Sequence, residues 1–209
     1  MLLKAKDITI DKLTKGDFKD NLPELYDLSC IENNPWHHNT SVFDHTIEVL
    51  NRLEEIFNSW SIDSKYLDWI YDVNSNRDIL FIASLFHDIS KCDTISFKEW
   101  FWTVCPWHEE EWAKKVLKIL DKFDLSWKEK NLVSYLVKNH WHIHYILDLD
   151  NDNLENDLIN YKNKFEKVYY ELIIMALSDT LASELYLSDK DNYDFRIKYY
   201  WDVLLNFKK

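Results

Sequence analysis

Glycine and proline are scarce in this sequence, and their scarcity excludes several fold classes. The 209 residues include one glycine, Gly16, and three prolines. Sheets built from tight hairpins need frequent glycine or proline turns, and dinucleotide or phosphate loops need clustered glycines. An all-β fold and a glycine-rich phosphate loop are therefore both excluded, and the composition favours long helices joined by polar turns.

Cysteine is also scarce, and long apolar runs are missing. The three cysteines, Cys30, Cys92 and Cys105, show no C-x-x-C spacing. An odd, sparse set is typical of free thiols in a reducing compartment. The amino-terminal segment lacks the apolar run of a signal peptide, and no stretch approaches the ~20 apolar residues of a membrane span. We therefore expect free thiols, no membrane partner and a cytoplasmic location.

Basic residues are outnumbered by acidic ones, which gives a formal net charge of -12. Proteins that bind duplex nucleic acid usually carry a basic footprint, so no such partner is expected. A small anionic substrate stays compatible with this charge, because a bound divalent ion inverts the local field. The apolar fraction of 46% and the aromatic fraction of 16% argue against disorder and favour one well-packed domain.

Hydrophobic periodicity predicts a bundle of helices. Val42, His45, Val49 and Leu53 recur on one face of a predicted amphipathic helix. Residues 78–89 would be apolar on almost every face of a helix, which predicts a buried central helix that ends at His87 and Asp88. The other expected helices span about 108–123, 127–140, 161–187 and 195–207. Residues 31–40 are expected to form a loop.

The histidines are concentrated in one part of the chain, since all eight lie between positions 37 and 144. Asp88 and Asp179 each sit in a strongly apolar helical run, where a carboxylate is costly unless it is paired or bound to a metal. A lone histidine is more often structural than a ligand, and a buried aspartate is a hydrogen-bonded structural residue about half of the time. Two such carboxylates with several histidines favour a divalent metal ion, namely Mn, Fe, Ni, Co, Zn or Mg, and the sequence does not choose among them.

Four further side chains are candidates for the same site. His140 and His144 are four residues apart, so both can face one side of a helix. His108 precedes three glutamates at a predicted helix start, and Lys91 lies one turn beyond Asp88. Each also has a plain alternative as a surface residue, so their roles stay open on the residues alone.

The order of these residues resembles the HD-domain superfamily of metal-dependent phosphohydrolases. Five segments carry the resemblance: FDHT at 43–46, LFHDISK at 85–91, WHEEEWA at 107–113, NHWHIH at 139–144 and LSDT at 177–180. The loop NPWH at 34–37 resembles that of the HD domain of bacterial tRNA nucleotidyltransferases. The resemblance spans about residues 34–185 and implies an all-α fold with a single HD-domain helical bundle.

This resemblance implies a set of ligands for one divalent ion: His45, His87, Asp88 and Asp179. It also implies a set of substrate contacts: Lys91, His108, His140 and His144. His108 and His140 either take a second ion, with Asp88 as the bridge, or bind the phosphate while protonated. Water activated by the metal then attacks phosphorus, and His108 or His140 protonates the leaving oxygen. Asp88, Lys91, His108 and His140 are thus the implied catalytic residues.

The expected function is hydrolysis of a nucleotide or nucleic-acid-end phosphoester, such as a 2′,3′-cyclic phosphate or a nucleoside monophosphate. Several aromatic residues near the site in sequence either stack a base or simply fill the core: Trp36, Phe97, Trp100, Trp102, Trp107 and Trp141. The alternatives are a catalytically silent HD module that binds a nucleotide or protein partner, a helical interaction protein and an HD-type di-iron oxygenase.

The chain is expected to divide into three segments. Residues 1–33 form an amino-terminal extension, residues 34–190 form the HD phosphohydrolase domain, and residues 191–209 form a carboxy-terminal helix that packs on the domain. The sequence is compatible with a homodimer.

Overall fold

The computed structural model describes residues 2–59, 62–98, 102–105 and 109–206, except for the side chains of 109–111. The helices are α1 Ile10–Lys15, α2 Pro23–Tyr26, α3 Val42–Phe57, α4 Ser64–Leu67, α5 Asn76–Leu85, α6 Lys91–Thr94, α7 Glu109–Leu120, α8 Trp127–Asn139, α9 His142–Ile146, α10 Leu154–Lys164, α11 Tyr169–Ala182, α12 Leu185–Ser188 and α13 Lys190–Leu205, with a 3-10 turn at Ala5–Asp7. The strands are β1 Ile31–Asn34, β2 His37–Ser41, β3 Ser96–Phe97 and β4 Thr103–Val104. The predicted all-α bundle is confirmed, because these strands make only two small hairpins.

Three helices, α3, α5 and α11, form the centre of the bundle. Helix α3 packs against both α5 and α11, while α8 packs against α5 and α7. The apolar face of α3 buries Val49, Leu50 and Leu53 completely or nearly so, as its periodicity predicts. Helix α13 covers the outside of α11. None of the described helices combines the length and the apolar character needed to cross a membrane.

Serine caps set the start of the helices that carry the core. The Ser41 hydroxyl accepts a hydrogen bond from the Asp44 amide and begins α3. Ser75 with Asp78 and Ser126 with Glu129 form complete capping boxes at α5 and α8. Such caps satisfy amides that have no partner within the helix, so each helix begins at a defined residue.

Residues 31–40, predicted as a loop, instead form the hairpin of β1 and β2. The carboxamide oxygen of Asn34 accepts hydrogen bonds from the amides of Trp36 and His37, at 2.9 and 3.1 Å. This side-chain turn replaces the glycine that hairpins usually need. Asn39 takes a left-handed backbone conformation (φ 60°) next to an irregularity in strand pairing, which asparagine tolerates better than most residues.

The helix predicted over 161–187 is divided in the structure into the end of α10, α11 and α12. The chain leaves the helical path after Lys164, where Phe165 and Tyr169 are both buried. The ring of Phe165 lies 6.2 Å from that of Tyr135 in α8, whereas the Tyr169 hydroxyl lies 3.0 Å from that of Tyr199 in α13. Both rings also lie close to that of Tyr161, at 4.7 and 6.0 Å, so the break falls within one aromatic cluster.

The prediction of free thiols is wrong for two of the three cysteines. Cys30 and Cys92 form a disulfide across 62 residues of sequence, while Cys105 is free. The fold brings the segment before β1 against α6, a proximity that no spacing in the sequence reveals. Disulfides persist mainly in oxidising compartments, so cysteine usage no longer supports a reducing compartment, and the cytoplasmic location stays a prediction.

Both ends of the described chain pack on the same core as the central helices. Leu13, Leu22 and Leu25 are fully buried there. The Leu3 amide donates to the Lys122 carbonyl, and the Leu3 carbonyl accepts from Asp124. Helix α13 packs on α11 and α12. The division at residues 33 and 190 stays a prediction.

Glu129 offers a test of how the bundle is joined, because its buried carboxylate links the start of α8 to the loop before α5. It accepts hydrogen bonds from the amides of Val73, Asn74 and Ser126 at 2.7, 2.6 and 2.9 Å. Burial alone raises the pKa of Glu129, but these hydrogen bonds outweigh it and hold the pKa below the ordinary value. Since hydrogen bonds to charged groups contribute about 1.5–3 kcal/mol each, Glu129→Gln should lower the free energy of unfolding at pH 7 by about 2–3 kcal/mol.

The stability contributed by Glu129 is expected to depend on pH in a defined direction. A lowered folded-state pKa contributes stability above the unfolded pKa of about 4.3, and this contribution is lost as the pH falls through the folded value. Urea unfolding should therefore separate wild type and Glu129→Gln fully at pH 7 and progressively less below about pH 4. Glu155→Gln, at an exposed position of α10, is the control. Equal stability of the two variants at pH 7 would contradict the prediction.

Candidate metal centre

His45 reaches the site from the first turns of α3. It lies on the buried face of that helix and is 2% exposed. Its Nε2 lies 2.9 Å from Oδ1 of Asp179 in α11 and 3.8 Å from Oδ2 of Asp88. The packing of α3 on α11 thus joins side chains that are 134 residues apart in sequence.

His87 and Asp88 follow the end of α5, where the chain leaves helical geometry at Phe86. Adjacent residues within a helix point about 100° apart, but beyond its end both side chains turn toward the same point. His87 Nε2 lies 3.0 Å from Asp88 Oδ2 and 4.0 Å from Asp179 Oδ1. One ligand atom each from His45, His87 and Asp179 lies within 4.8 Å of the others, and Asp88 adjoins both imidazoles.

The tautomer of His87 is set by its other ring nitrogen. Nδ1 lies 2.7 Å from the carbonyl oxygen of Ser84, and only an N–H group approaches a carbonyl so closely. In the neutral ring, Nε2 therefore presents a lone pair toward the Asp88 carboxylate. Within the described part of the chain, Nε2 of His87 has no aligned hydrogen-bond partner. Two imidazoles and two carboxylates that converge in this way are ligand types that fit a divalent cation.

Both carboxylates of this group are ionised. Burial raises the pKa of Asp88, but the positive charges of His87 and Lys91 outweigh it and hold the pKa well below its ordinary value. Burial also raises the pKa of Asp179, but hydrogen bonds from His144 and His45 lower it by more. Burial lowers the pKa of His87, whereas the charges of Asp88 and Asp179 raise it above the ordinary value. The cluster thus attracts positive charge.

Lys91, the first residue of α6, belongs to this cluster and is not a solvated surface lysine. Its side chain is 15% exposed, and Nζ lies 2.8 Å from Asp88 Oδ2 and 2.9 Å from Glu32 Oε2. Burial lowers the pKa of Lys91, but the charges of Asp88 and Glu32 raise it well above the ordinary value. The ammonium group therefore stays charged beside the candidate ligands.

His140 and His144 do not share one helix, because α8 ends at Asn139 and α9 begins at His142. Both rings nevertheless point into the site. His140 Nε2 lies 3.8 Å from Asp88 Oδ1, and His144 Nε2 lies 3.1 Å from Asp179 Oδ2. Burial, aided by the charge of His87, lowers the pKa of His140 to about 3. His140 is therefore a neutral ring, suited to accept a bond or ligate a metal.

The remaining candidate residues differ in whether they lie near the site. His108, Trp100 and Trp107 lie outside the described residues. The ring of Trp36 lies 5.0 Å from that of His144 and adjoins the site. Phe97 and Trp102 are largely exposed on the small second hairpin, and Trp141 stacks on His142.

Sequence reasoning missed four residues that the fold brings to the cluster: Glu32, His37, Arg196 and Tyr200. The ring of His37 lies 4.4 Å from that of His45. Arg196 donates to the His144 carbonyl at 2.9 Å, and the Tyr200 hydroxyl lies 3.3 Å from His144 Nδ1. Arg196 lies on the buried face of α13 and donates a hydrogen bond to Asn192 on the same face, and this partly polar face does not single it out in the sequence. Nothing in the sequence marks Glu32.

Fold and site together define a class: an all-α domain in which a buried group of imidazoles and carboxylates could hold a divalent metal ion. The model of the HD domain family matches residues 42–183, and the chain belongs to this family. HD domains are generally metal-dependent hydrolases. No curated protein matches the chain significantly. The family match does not distinguish subtypes, so likeness to the nucleotidyltransferase type stays a prediction.

Proposed function

We propose that this protein is a metal-dependent phosphohydrolase whose divalent ion is held by His45, His87, Asp88 and Asp179. The observation that carries the proposal is the convergence of these side chains from three separate segments, where His87 Nε2 has no aligned hydrogen-bond partner among the described residues. Two ionised, buried carboxylates need nearby positive charge. Lys91 supplies part of it for Asp88, and a divalent ion, when bound, would supply the rest.

Side chains and backbone groups of the protein orient the metal ligands and offset the negative charge of the substrate. A divalent ion, when bound, supplies Lewis acidity that activates water and offsets the charge of phosphoryl oxygens. The Ser84 carbonyl orients His87, and His144 holds the second oxygen of Asp179. Lys91 provides a permanently charged group for a phosphoryl oxygen.

The roles of the two remaining histidines differ. A ring with a pKa of about 3 carries no extra proton at neutral pH, so we assign His140 as a neutral acceptor or as a ligand that, together with Asp88, would hold a second ion. Protonation of the leaving oxygen is then assigned to His108, because histidine is the side chain most often used as a general acid near neutral pH. This assignment of His108 rests on its sequence position alone.

The substrate we propose is a phosphoester of a nucleotide or nucleic-acid end, such as a 2′,3′-cyclic phosphate or a nucleoside monophosphate. Trp36 supports this choice, because its half-buried ring adjoins His144 at the site and an aromatic face stacks on any base. The net charge of -12 favours a small ligand over duplex nucleic acid. We also propose a cytoplasmic location and a homodimeric state.

Metal-dependent turnover is the expected result of a direct assay. Protein stripped with EDTA and reloaded with Mn²⁺, Co²⁺ or Ni²⁺ should hydrolyse bis(p-nitrophenyl) phosphate or p-nitrophenyl phosphate, at a rate about 100-fold or more above that of the stripped protein. A panel of 2′,3′-cyclic nucleotides and nucleoside monophosphates then tests the substrate class. Stoichiometric metal without turnover of any phosphoester would favour a silent binding module, and no stoichiometric metal would overturn the proposal.

A further inference from the structure

Glu32 is a buried carboxylate on the β1–β2 hairpin, outside the residues 42–183 that match the family. It is 3% exposed, and its Oε2 lies 2.9 Å from Nζ of Lys91. The same Nζ lies 2.8 Å from Oδ2 of Asp88. His37 Nε2 lies 3.7 Å from the same Glu32 oxygen. Glu32 is therefore joined to a candidate metal ligand through a single lysine.

The position of Lys91 creates an electrostatic conflict. An ammonium group and a divalent cation would share one carboxylate, Asp88, and two positive charges a few ångströms apart repel strongly where water is excluded. Without a counter-charge, Lys91 would weaken metal binding by Asp88. A second carboxylate on the far side of the ammonium group offsets its charge and draws it away from the metal.

The contact between Glu32 and Lys91 is fixed from two sides. The Cys30–Cys92 disulfide joins the residue two positions before Glu32 to the residue directly after Lys91. On the other side, Thr103 in β4 accepts a hydrogen bond from the Asn33 amide at 2.8 Å. These two restraints hold Glu32 next to Lys91, a contact that an unrestrained hairpin would not maintain.

We propose that Glu32 is a positioning residue: it holds Lys91 and offsets its charge, so that Asp88 can ligate a divalent ion while the ammonium group stays available for phosphate. This inference rests on the proposed function, because it concerns the same site. It adds a residue from the amino-terminal hairpin that acts on the metal site through Lys91.

A double-mutant cycle tests the inference without any assay of activity. The dissociation constant for Mn²⁺ is measured by calorimetry on EDTA-treated wild type, Glu32→Gln, Lys91→Met and the double variant. Glu32→Gln should raise the dissociation constant about tenfold, as expected for outer-shell groups. Lys91→Met should not raise it. In the Lys91→Met background, Glu32→Gln should have less than about a twofold effect, because its target is gone.

Two further variants control for folding and for general charge effects. Glu32→Asp keeps the charge and should bind Mn²⁺ within about threefold of wild type. Glu24→Gln breaks a Lys–Glu pair with Lys122, remote from the site, and should leave Mn²⁺ affinity unchanged. An unchanged constant in Glu32→Gln, or equal weakening with and without Lys91, would overturn the inference. Failure of wild type to bind Mn²⁺ would instead overturn the proposed function.

Discussion

Replacing Asp88 by asparagine is expected to lower kcat/KM for phosphoester hydrolysis by about 1000-fold or more, a loss of roughly 4 kcal/mol in transition-state stabilisation. Asp88 is the hub of the cluster, because its two oxygens lie 3.0 Å from His87, 2.8 Å from Lys91 and 3.8 Å from both His45 and His140. Asparagine keeps the shape but removes the charge. The amide N–H groups of asparagine would also face Lys91 and the imidazoles, which are positively charged or would ligate a cation.

The measurement pairs steady-state kinetics with Mn²⁺ calorimetry on the same preparation. Asp88→Asn should lose metal affinity together with activity, while circular dichroism shows an intact helical fold. Asp152→Asn, in the exposed loop before α10, is the matched control and should behave as wild type. Full activity in Asp88→Asn would exclude any mechanism that uses this carboxylate as a ligand.

The parts of the site that the sequence predicts are those that conflict with local burial. Asp179 is conspicuous because a carboxylate within IIMALSDTLA has no basic neighbour in sequence. His87 and Asp88 are conspicuous because they end an apolar run. Such conflicts can be recognised from the sequence alone, because helical periodicity indicates which face of a helix is buried. The structure brings these residues within contact distance.

The parts that the sequence does not predict depend on pairing between distant segments. The Cys30–Cys92 disulfide and the Glu32–Lys91 contact both need the hairpin to meet α6, across about sixty residues. The hairpin itself is hidden, because an asparagine side chain replaces the usual glycine turn. The break after Lys164 is also hidden, since Phe165 and Tyr169 pack there on Tyr135 of α8 and Tyr199 of α13, which are distant in sequence.

The stability of the site depends on Phe86, which lies directly before His87 and Asp88. Its side chain is completely buried, and its ring meets Phe123 edge-on at a centroid distance of 5.8 Å. This anchor fixes the end of α5, from which the chain turns toward the metal ligands. Truncation leaves a cavity that a close-packed core fills only in part, so Phe86→Ala should lower the free energy of unfolding by about 3–5 kcal/mol.

Urea denaturation of the metal-free protein measures this effect without a contribution from ligand binding. Phe86→Leu, which keeps most of the volume, should cost less than Phe86→Ala. The control is Phe97→Ala, because Phe97 is 75% exposed on the second hairpin and should change stability by no more than about 0.5 kcal/mol. An equally small loss of unfolding free energy in Phe86→Ala and Phe97→Ala would contradict the prediction. The turn that orients His87 and Asp88 would then be held by hydrogen bonds, such as that from the His87 ring to Ser84, and not by core packing.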